Sequence, residues 1–236
     1  MTPIRRRLSG SLRVAQRYVK DVASGTRFAT RLSSPFLPIR AEIQQKIRRT
    51  ESFAAKHHNI SKGAACLHGL ILAPNEVFSF WKLVGQPSHK RDFLPSRSLV
   101  NGRAVLDDGG GLCQLAGILY HLSLVCGLDV LERHAHSRDL YTEEDRFTPL
   151  GADAAVAFGH KDLRLRNPYA SPLQFLVEVG AESLSAMLCA EMALDVFEVS
   201  FVRLPDEGQI RKVETFALKA NETAPKWIAT SSYRID

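Results

Sequence analysis

No stretch of this chain approaches the roughly 20 consecutive apolar residues of a membrane-spanning helix. Its basic N-terminus is not followed by the apolar run of about 7–15 residues that marks a secretory signal. The expectation is therefore a cytoplasmic protein. Cysteine is scarce and scattered: Cys66, Cys113, Cys126 and Cys189 form no Cys-x-x-Cys pair and no closely spaced ladder. That usage argues against a secreted disulfide scaffold and for free thiols in a reducing compartment. No internal repeat is evident. Three consecutive glycines precede a helical pattern, but no Lys-Ser/Thr follows them, so this is not a phosphate-binding loop.

What is present is globular. The 236 residues, 45% hydrophobic and 24% charged, suffice for one good core with an appendage. The net charge of +6 is unevenly spread. Residues 1–50 hold twelve Lys/Arg against Asp21 and Glu42, a local +10, and the remainder carries −4. The basic character belongs to an N-terminal arm, which reads as a solvated helical face or as a surface for anionic membrane lipid. Nucleic acid is not expected as a partner. With anionic lipid bound, the protein would sit at the inner membrane face.

The chain turns on Asp107-Asp108-Gly109-Gly110-Gly111-Leu112-Cys113-Gln114. The glycines open positive φ to the backbone and leave room for close approach. Leu112, Leu115, Ile118, Leu119, Leu122 and Val125 then recur at spacings of three and four, a buried helix of roughly four turns. Gly127 stands where a C-terminal glycine cap belongs. Cys113 falls in the first helical turn, where unpaired N–H groups and the positive dipole end favour a thiolate. His134 and His136 end the short apolar run at Leu128–His134, which reads as a strand.

Around this centre the pattern predicts helices near Leu8–Val22, at Ile39–His57 and from Ser61 to Pro74. Strands are expected at Glu76–Trp81, Asp153–Phe158, Leu163–Arg166, Leu173–Val179, Leu184–Ala190 and Asp195–Val202. Asn101-Gly102 between Ser98–Val100 and Arg103–Val105 is a type I′ hairpin signal, and Gly180-Ala181-Glu182 joins a second hairpin. Asp139–Pro149 reads as a polar surface loop. The whole is α+β: a mainly antiparallel sheet packed against a buried central helix, with a helical N-terminal extension. The division is 1–58 as basic extension, 59–203 as the α+β domain and 204–236 as a weakly patterned tail.

Three motifs in order carry a resemblance to a known family: Phe78-Ser79-Phe80-Trp81-Lys82-Leu83-Val84-Gly85, Gly109-Gly110-Gly111-Leu112-Cys113-Gln114, and Asp153-Ala154-Ala155-Val156. Over about Asn59–Val179 the chain resembles the VanW family, named for an accessory protein of vancomycin-resistance clusters. The resemblance implies a cell-envelope or glycopeptide-antibiotic context and supplies no reaction. Where many members have Pro-Gly-Glu, this chain has Pro74-Asn75-Glu76, so a turn there is expected to differ slightly. Of the two histidines, His136 matches the family pattern more dependably.

Three chemistries compete for these residues. In the first, Cys113 is the nucleophile of an amide hydrolase or acyl transferase acting on a small peptide-like or cell-wall-precursor ligand. His136, or His134 two residues away on the same strand face, is the base and acid. Asp153, opening the next strand, orients the imidazole. The Leu112 and Cys113 N–H groups or the Gln114 side chain stabilise the oxyanion, and Gly109, Gly110, Gly111, Trp81 and Arg164 contact the ligand. No cofactor is required. In the second, Cys113, His134 and His136 with His160 or Asp153 bind zinc, although no recognised zinc spacing is present. In the third, Phe78, Phe80 and Trp81 line a non-catalytic groove for a cell-wall fragment or glycopeptide; as a bland alternative, 78 and 80 are simply the core face of a strand. Arg164 and Arg166 are available to an anion or belong to a half-buried strand. Cys66, Cys126 and Cys189, set among Ala, Leu and Val, read as packing residues.

Overall fold

The computed structural model describes residues 3–100, 103–139, 141–142 and 146–235, with side chains from residue 12 onward except those of 97–100 and 103–106. Leu112–Val125 forms the central helix, α4, counting helices from the N-terminus. From Leu112 to Leu124 only Cys113 and His121 escape full burial, as expected of a helix that is apolar on every side. Gly127, at φ 62°, ends it and donates to Leu124 O. The predicted glycine cap is present.

Three other helices precede it: α1 (Pro3–Ala23), α2 (Phe53–Ala65) and α3 (Phe80–Val84). The strands in chain order are β1 (Ile39–Lys46), β2 (Leu70–Leu72), β3 (Val77–Ser79), β4 (Pro95–Val100), β5 (Arg103–Asp108) and β6 (Asp129–Glu132). After a long irregular segment come β7 (Arg164–Arg166), β8 (Leu173–Val179), β9 (Ser183–Ala190), β10 (Phe197–Arg203), β11 (Ile210–Lys219) and β12 (Lys226–Arg234). They pair antiparallel as β1-β9-β8-β2, β3-β7-β6, β10-β11-β12 and β4-β5. Helix α4 packs against α2, β1, β9, β10 and β6, which makes the fold α+β around one buried helix.

Several local expectations are corrected. Ile39–His57 is not one helix; β1 occupies its first half and pairs with β9, and α2 starts only at Phe53. Ser61 caps nothing, since it lies inside α2 and donates to His57 O at 2.9 Å. The helix expected to reach Pro74 ends at Ala65, and Leu70–Leu72 is a strand. The strand expected through Trp81 stops at Ser79, whose hydroxyl accepts from Lys82 N and caps α3. Asn75, where the family pattern has Gly, holds φ 61°, a conformation asparagine tolerates better than most side chains.

The segment after residue 204, read as weakly patterned, folds as β11 and β12. Burial in β11 falls on Val213, Thr215 and Ala217, which alternate properly but are too small and polar to announce a strand. The hairpin of β8 and β9 forms as expected, and β4 pairs with β5, although its Asn101-Gly102 turn lies outside the described residues. Among the described residues, no helix is long and apolar enough to cross a membrane.

Candidate active site

Gly109 (φ 96°) and Gly111 (φ 101°) turn the chain from β5 into α4 in conformations that side chains rarely adopt. Space forbids them as well. A Cβ on Gly111 would lie 2.8 Å from Lys56 Cγ and 3.0 Å from Ile60 Cγ1, and one on Gly109 would lie 2.9 Å from Pro87 Cβ. Asn59 ties Gly110 O to Leu94 O and accepts from Leu94 N. The glycine run is thus a tightly packed launch for α4 and not an open ligand loop. Gly111 itself occupies the N-cap, so no side chain satisfies the first N–H groups.

Cys113 sits on that first turn, half-buried, with its sulfur against a loop. Val156 N–H reaches Sγ at 3.5 Å, and Sγ lies 3.7 Å from Val156 O. One turn further along the same helix face, Gly117 lets the loop approach closely: a Cβ there would already lie 3.5 Å from Ala154 N and 3.7 Å from Asp153 Cα. The segment expected as a strand at Asp153–Phe158 is therefore irregular, fixed by Gly117 on one side and by Ala155 N–H to His134 O (2.7 Å) on the other. This contact carries Asp153 to the histidines.

His136 follows the end of β6 by four residues. Its Nδ1 lies 2.6 Å from Asp153 Oδ2, which also accepts from His136 N–H at 2.8 Å. The imidazole also interacts electrostatically with the Cys113 thiol, and each group shifts the titration of the other. The three groups are thus coupled in series, carboxylate to imidazole to sulfur. Asp153 is anchored in turn by Tyr233 OH (2.6 Å) and by Arg133, which donates to Oδ1 (2.8 Å), Asp153 O, Gly151 O and Ser231 Oγ. Arg133 also stacks over Tyr120, 4.8 Å from its centroid.

The electrostatics follow from these contacts. Burial alone would raise the Cys113 thiol, but the interaction with His136, helped by the Val156 N–H, outweighs it and brings the thiol below its ordinary value. Burial would lower His136; Asp153 and the sulfur overcome that and lift it to about 10. Burial would raise Asp153, yet His136, Arg133 and Tyr233 hold it far below the usual carboxylate range. Each partner is thus drawn toward its charged form, Cys113 toward thiolate and His136 toward imidazolium. By contrast, burial without a partner pushes Cys126 up to about 12 and raises Cys189.

Other expected site residues lie elsewhere. His134 and His136 do not share a strand face, because β6 ends at Glu132. His134 Nε2 lies 2.9 Å from Glu132 Oε1, within a cluster that also binds Arg17 and the Asp162 N–H. Burial opposes ionisation of Glu132, but Arg17, the Asp162 N–H and His134 draw it down to about 2. Gln114 is buried and donates to Lys46 O (3.0 Å), which commits its amide N–H to β1 and away from any oxyanion. The Leu112 N–H is bonded to Gly109 O, whereas the Cys113 N–H has no backbone partner among the described residues. Trp81 and Arg164 line a cavity of about 130 Å³ under α1, together with Val14, Tyr18 and Phe158 and without Cys113. Trp81 Nε1 donates to Lys161 O, and Arg164 is consumed by Asp21 and Asp162. Phe78 and Phe80 are core residues. Arg166 pairs with Asp129. Among the described residues no three His, Cys, Asp or Glu side chains converge as a metal site needs, so the zinc arrangement is not assembled.

Sequence reasoning missed Arg133, Tyr233 and Val156. Gly117 was the one available signal for the close approach of the loop; nothing in the C-terminal pattern marked Tyr233.

Fold and site define an α+β protein with a hydrogen-bonded His136–Asp153 pair coupled to Cys113 at the start of its central helix. A family model described as "VanW like protein" matches residues 55–189, and the chain belongs to that family. It is 29% identical over 136 residues to the vancomycin B-type resistance protein VanW of Enterococcus faecalis, covering 58% of this chain and 50% of that one. It is 31% identical over 119 residues to the uncharacterized protein YoaR of Bacillus subtilis, covering 50% and 38% respectively. The chain thus spans half or less of the length of these relatives. No solved structure matches it.

Proposed function

We propose that this protein is a thiol-dependent enzyme that cleaves or transfers an acyl group of a peptide-like substrate. The hydrogen-bonded pair of Asp153 and His136, coupled electrostatically to Cys113, carries the reading. The Cys113 thiolate attacks the substrate carbonyl, and the carbonyl electron pair moves to oxygen, where the Cys113 N–H is placed to receive it. His136 gives its Nε2 proton to the departing amine as the C–N bond breaks, leaving a thioester. The imidazole, now neutral, takes a proton from water or an acceptor amine, which attacks the thioester and releases the thiolate. Asp153 keeps the ring oriented and supports its charge.

The name of the enterococcal relative, a vancomycin B-type resistance protein, directs the choice of substrate to soluble peptide-like precursors of the cell wall. The mechanism needs a reduced sulfur, and all four cysteines are free, which favours work in a reducing compartment. The test is a set of peptidyl acyloxymethyl ketones, read by intact mass. One adduct on Cys113, lost in His136→Ala and on unfolding, is the expected result. Equal labelling of the unfolded chain, or none at all, would sink catalysis; retained binding of a cell-wall fragment by Cys113→Ala would then make the site a binding module.

A further inference from the structure

Lys56 packs against the glycine run that leads into Cys113. Its stem crosses the glycine run two residues before Cys113, with Cγ 2.8 Å and its own carbonyl 3.2 Å from where a Gly111 Cβ would be. Its Nζ is 5.4 Å from the centroid of Phe147, at the head of the loop that runs on to Asp153. The ammonium is therefore held between the segments that deliver the nucleophile and the imidazole's anchor. It is half-buried, and no carboxylate pairs with it among the described residues. Burial, then the like charge of Arg48, draw it from 10.5 down to about 8. Next to Phe147 in the chain, the Thr148 hydroxyl, which can donate to an anion, is buried without a hydrogen-bond partner among the described residues. Among the described residues, a cation so placed has no carboxylate partner and is available to an anionic ligand.

We propose that Lys56 binds a carboxylate of the acyl substrate, so that the substrate class is a peptide or acyl-amino acid bearing a free carboxyl group next to the scissile bond. This rests on Cys113 being the reacting sulfur. The probes are iodoacetate and iodoacetamide, which differ in carrying a carboxylate or an amide. In a Cys66→Ser background at saturating thiolate, Lys56→Gln is expected to lower the iodoacetate rate about three- to tenfold. The iodoacetamide rate should hold, and Lys56→Arg should keep most of the preference. A ratio unchanged in Lys56→Gln overturns the subsite and leaves the thiol reading standing. A parallel arm titrates N-acetyl-Ala-Ala acid and its amide by NMR shift. Binding of the acid alone, lost in Lys56→Gln, supports the subsite even if Cys113 proves inert. Inertness to both reagents together with no selective binding overturns both.

A second observation stands independently of the first. Helix α1 docks by its polar face, through Arg17 to Glu132 (2.7 Å), Asp21 to Arg164 (2.7 Å) and Arg13 to His160 (3.0 Å). Its other face, spaced as 12, 15, 19 and 22, turns outward: Leu12, Val19 and Val22 are 62%, 66% and 62% exposed. A helix that merely covered a core would show the reverse. The same N-terminal region carries +10 over residues 1–50, and in the sequence Arg5, Arg6 and Arg7 stand five to seven residues before Leu12. An apolar stripe with basic flanks matches an anionic bilayer surface, and we infer that α1 lays this face on such a membrane. The full chain should co-sediment with phosphatidylcholine vesicles containing about one-third phosphatidylglycerol, and less with phosphatidylcholine alone. Leu12→Glu/Val19→Glu should abolish this. Equal sedimentation of the double variant, or a vesicle-independent dimer that the variant dissolves, overturns the assignment.

Discussion

Cys113 is expected to alkylate rapidly in native protein at pH values where an ordinary thiol is protonated, and to lose that reactivity when His136 is replaced by Ala. Cys126 and Cys189 are buried and their thiols raised, so only Cys66 needs replacing by Ser. The sign follows from the pair. The thiolate persists from the lowered Cys113 value upward, and its imidazolium partner persists up to about 10. Iodoacetamide should therefore show a plateau beginning below the ~8.5 of a free thiol. In His136→Ala the burial contribution to Cys113 is unopposed by imidazolium, and the profile moves above that reference. At pH 6.5 the rate should fall at least about tenfold, because a thiol below its pKa loses a factor of about ten in thiolate for each pH unit of separation. A sulfur unreactive in both proteins until unfolding would make Cys113 a packing residue. A profile indifferent to His136 would break the proposed pair.

Arg133→Met carries the largest expected loss of stability. The guanidinium is buried at 8% side-chain exposure against an Asp153 side chain exposed by 14%, and it also donates to Asp153 O, Gly151 O and Ser231. Met keeps much of the apolar volume over Tyr120 but leaves the carboxylate short of a cation. Removing one partner of a buried pair costs about 3–5 kcal/mol; denaturant titration should show a loss in that range near neutral pH. Because the Asp153 value is depressed in the fold, its contribution is present above the unfolded value of about 3.9 and is lost as pH falls through the folded one. The gap between wild type and Arg133→Met should accordingly narrow in acid. A loss under about 1 kcal/mol, or one independent of pH, would mean that Asp153 is held by His136 and Tyr233 alone. Tyr233 ties this carboxylate to β12, so the C-terminal sheet supports the site from outside the segment that matches the family.

The errors of the sequence reading have specific causes. Ile39, Ile43 and Ile47 are four apart, a spacing that keeps residues on one face both of a helix and of a strand. Only pairing with β9 decides between them. Asp153-Ala154-Ala155-Val156 looks like a strand because small and apolar residues suit one, yet the loop is shaped by contact with Gly117 across 36 residues of chain. His134 and His136 invited a shared face by period two. That period lapses once β6 ends, and each ring follows its own carboxylate.

Local chemistry by itself determined the centre of this protein. Glycines that adopt positive φ most readily, an apolar run at helical spacing, a capping Gly127 and a cysteine in the first turn follow from nearest neighbours along the chain. So does the hairpin of β8 and β9. The tertiary structure decided which histidine is coupled to Cys113, what holds Asp153, and that Lys56 lies beside the glycine run. Those outcomes depend on contacts between residues some 20 to 80 positions apart, such as Arg133 with Asp153 and Tyr233 with Asp153. Such contacts are chosen by close packing and by the cost of burying an unpaired charge, and neither quantity exists until the chain has closed on itself.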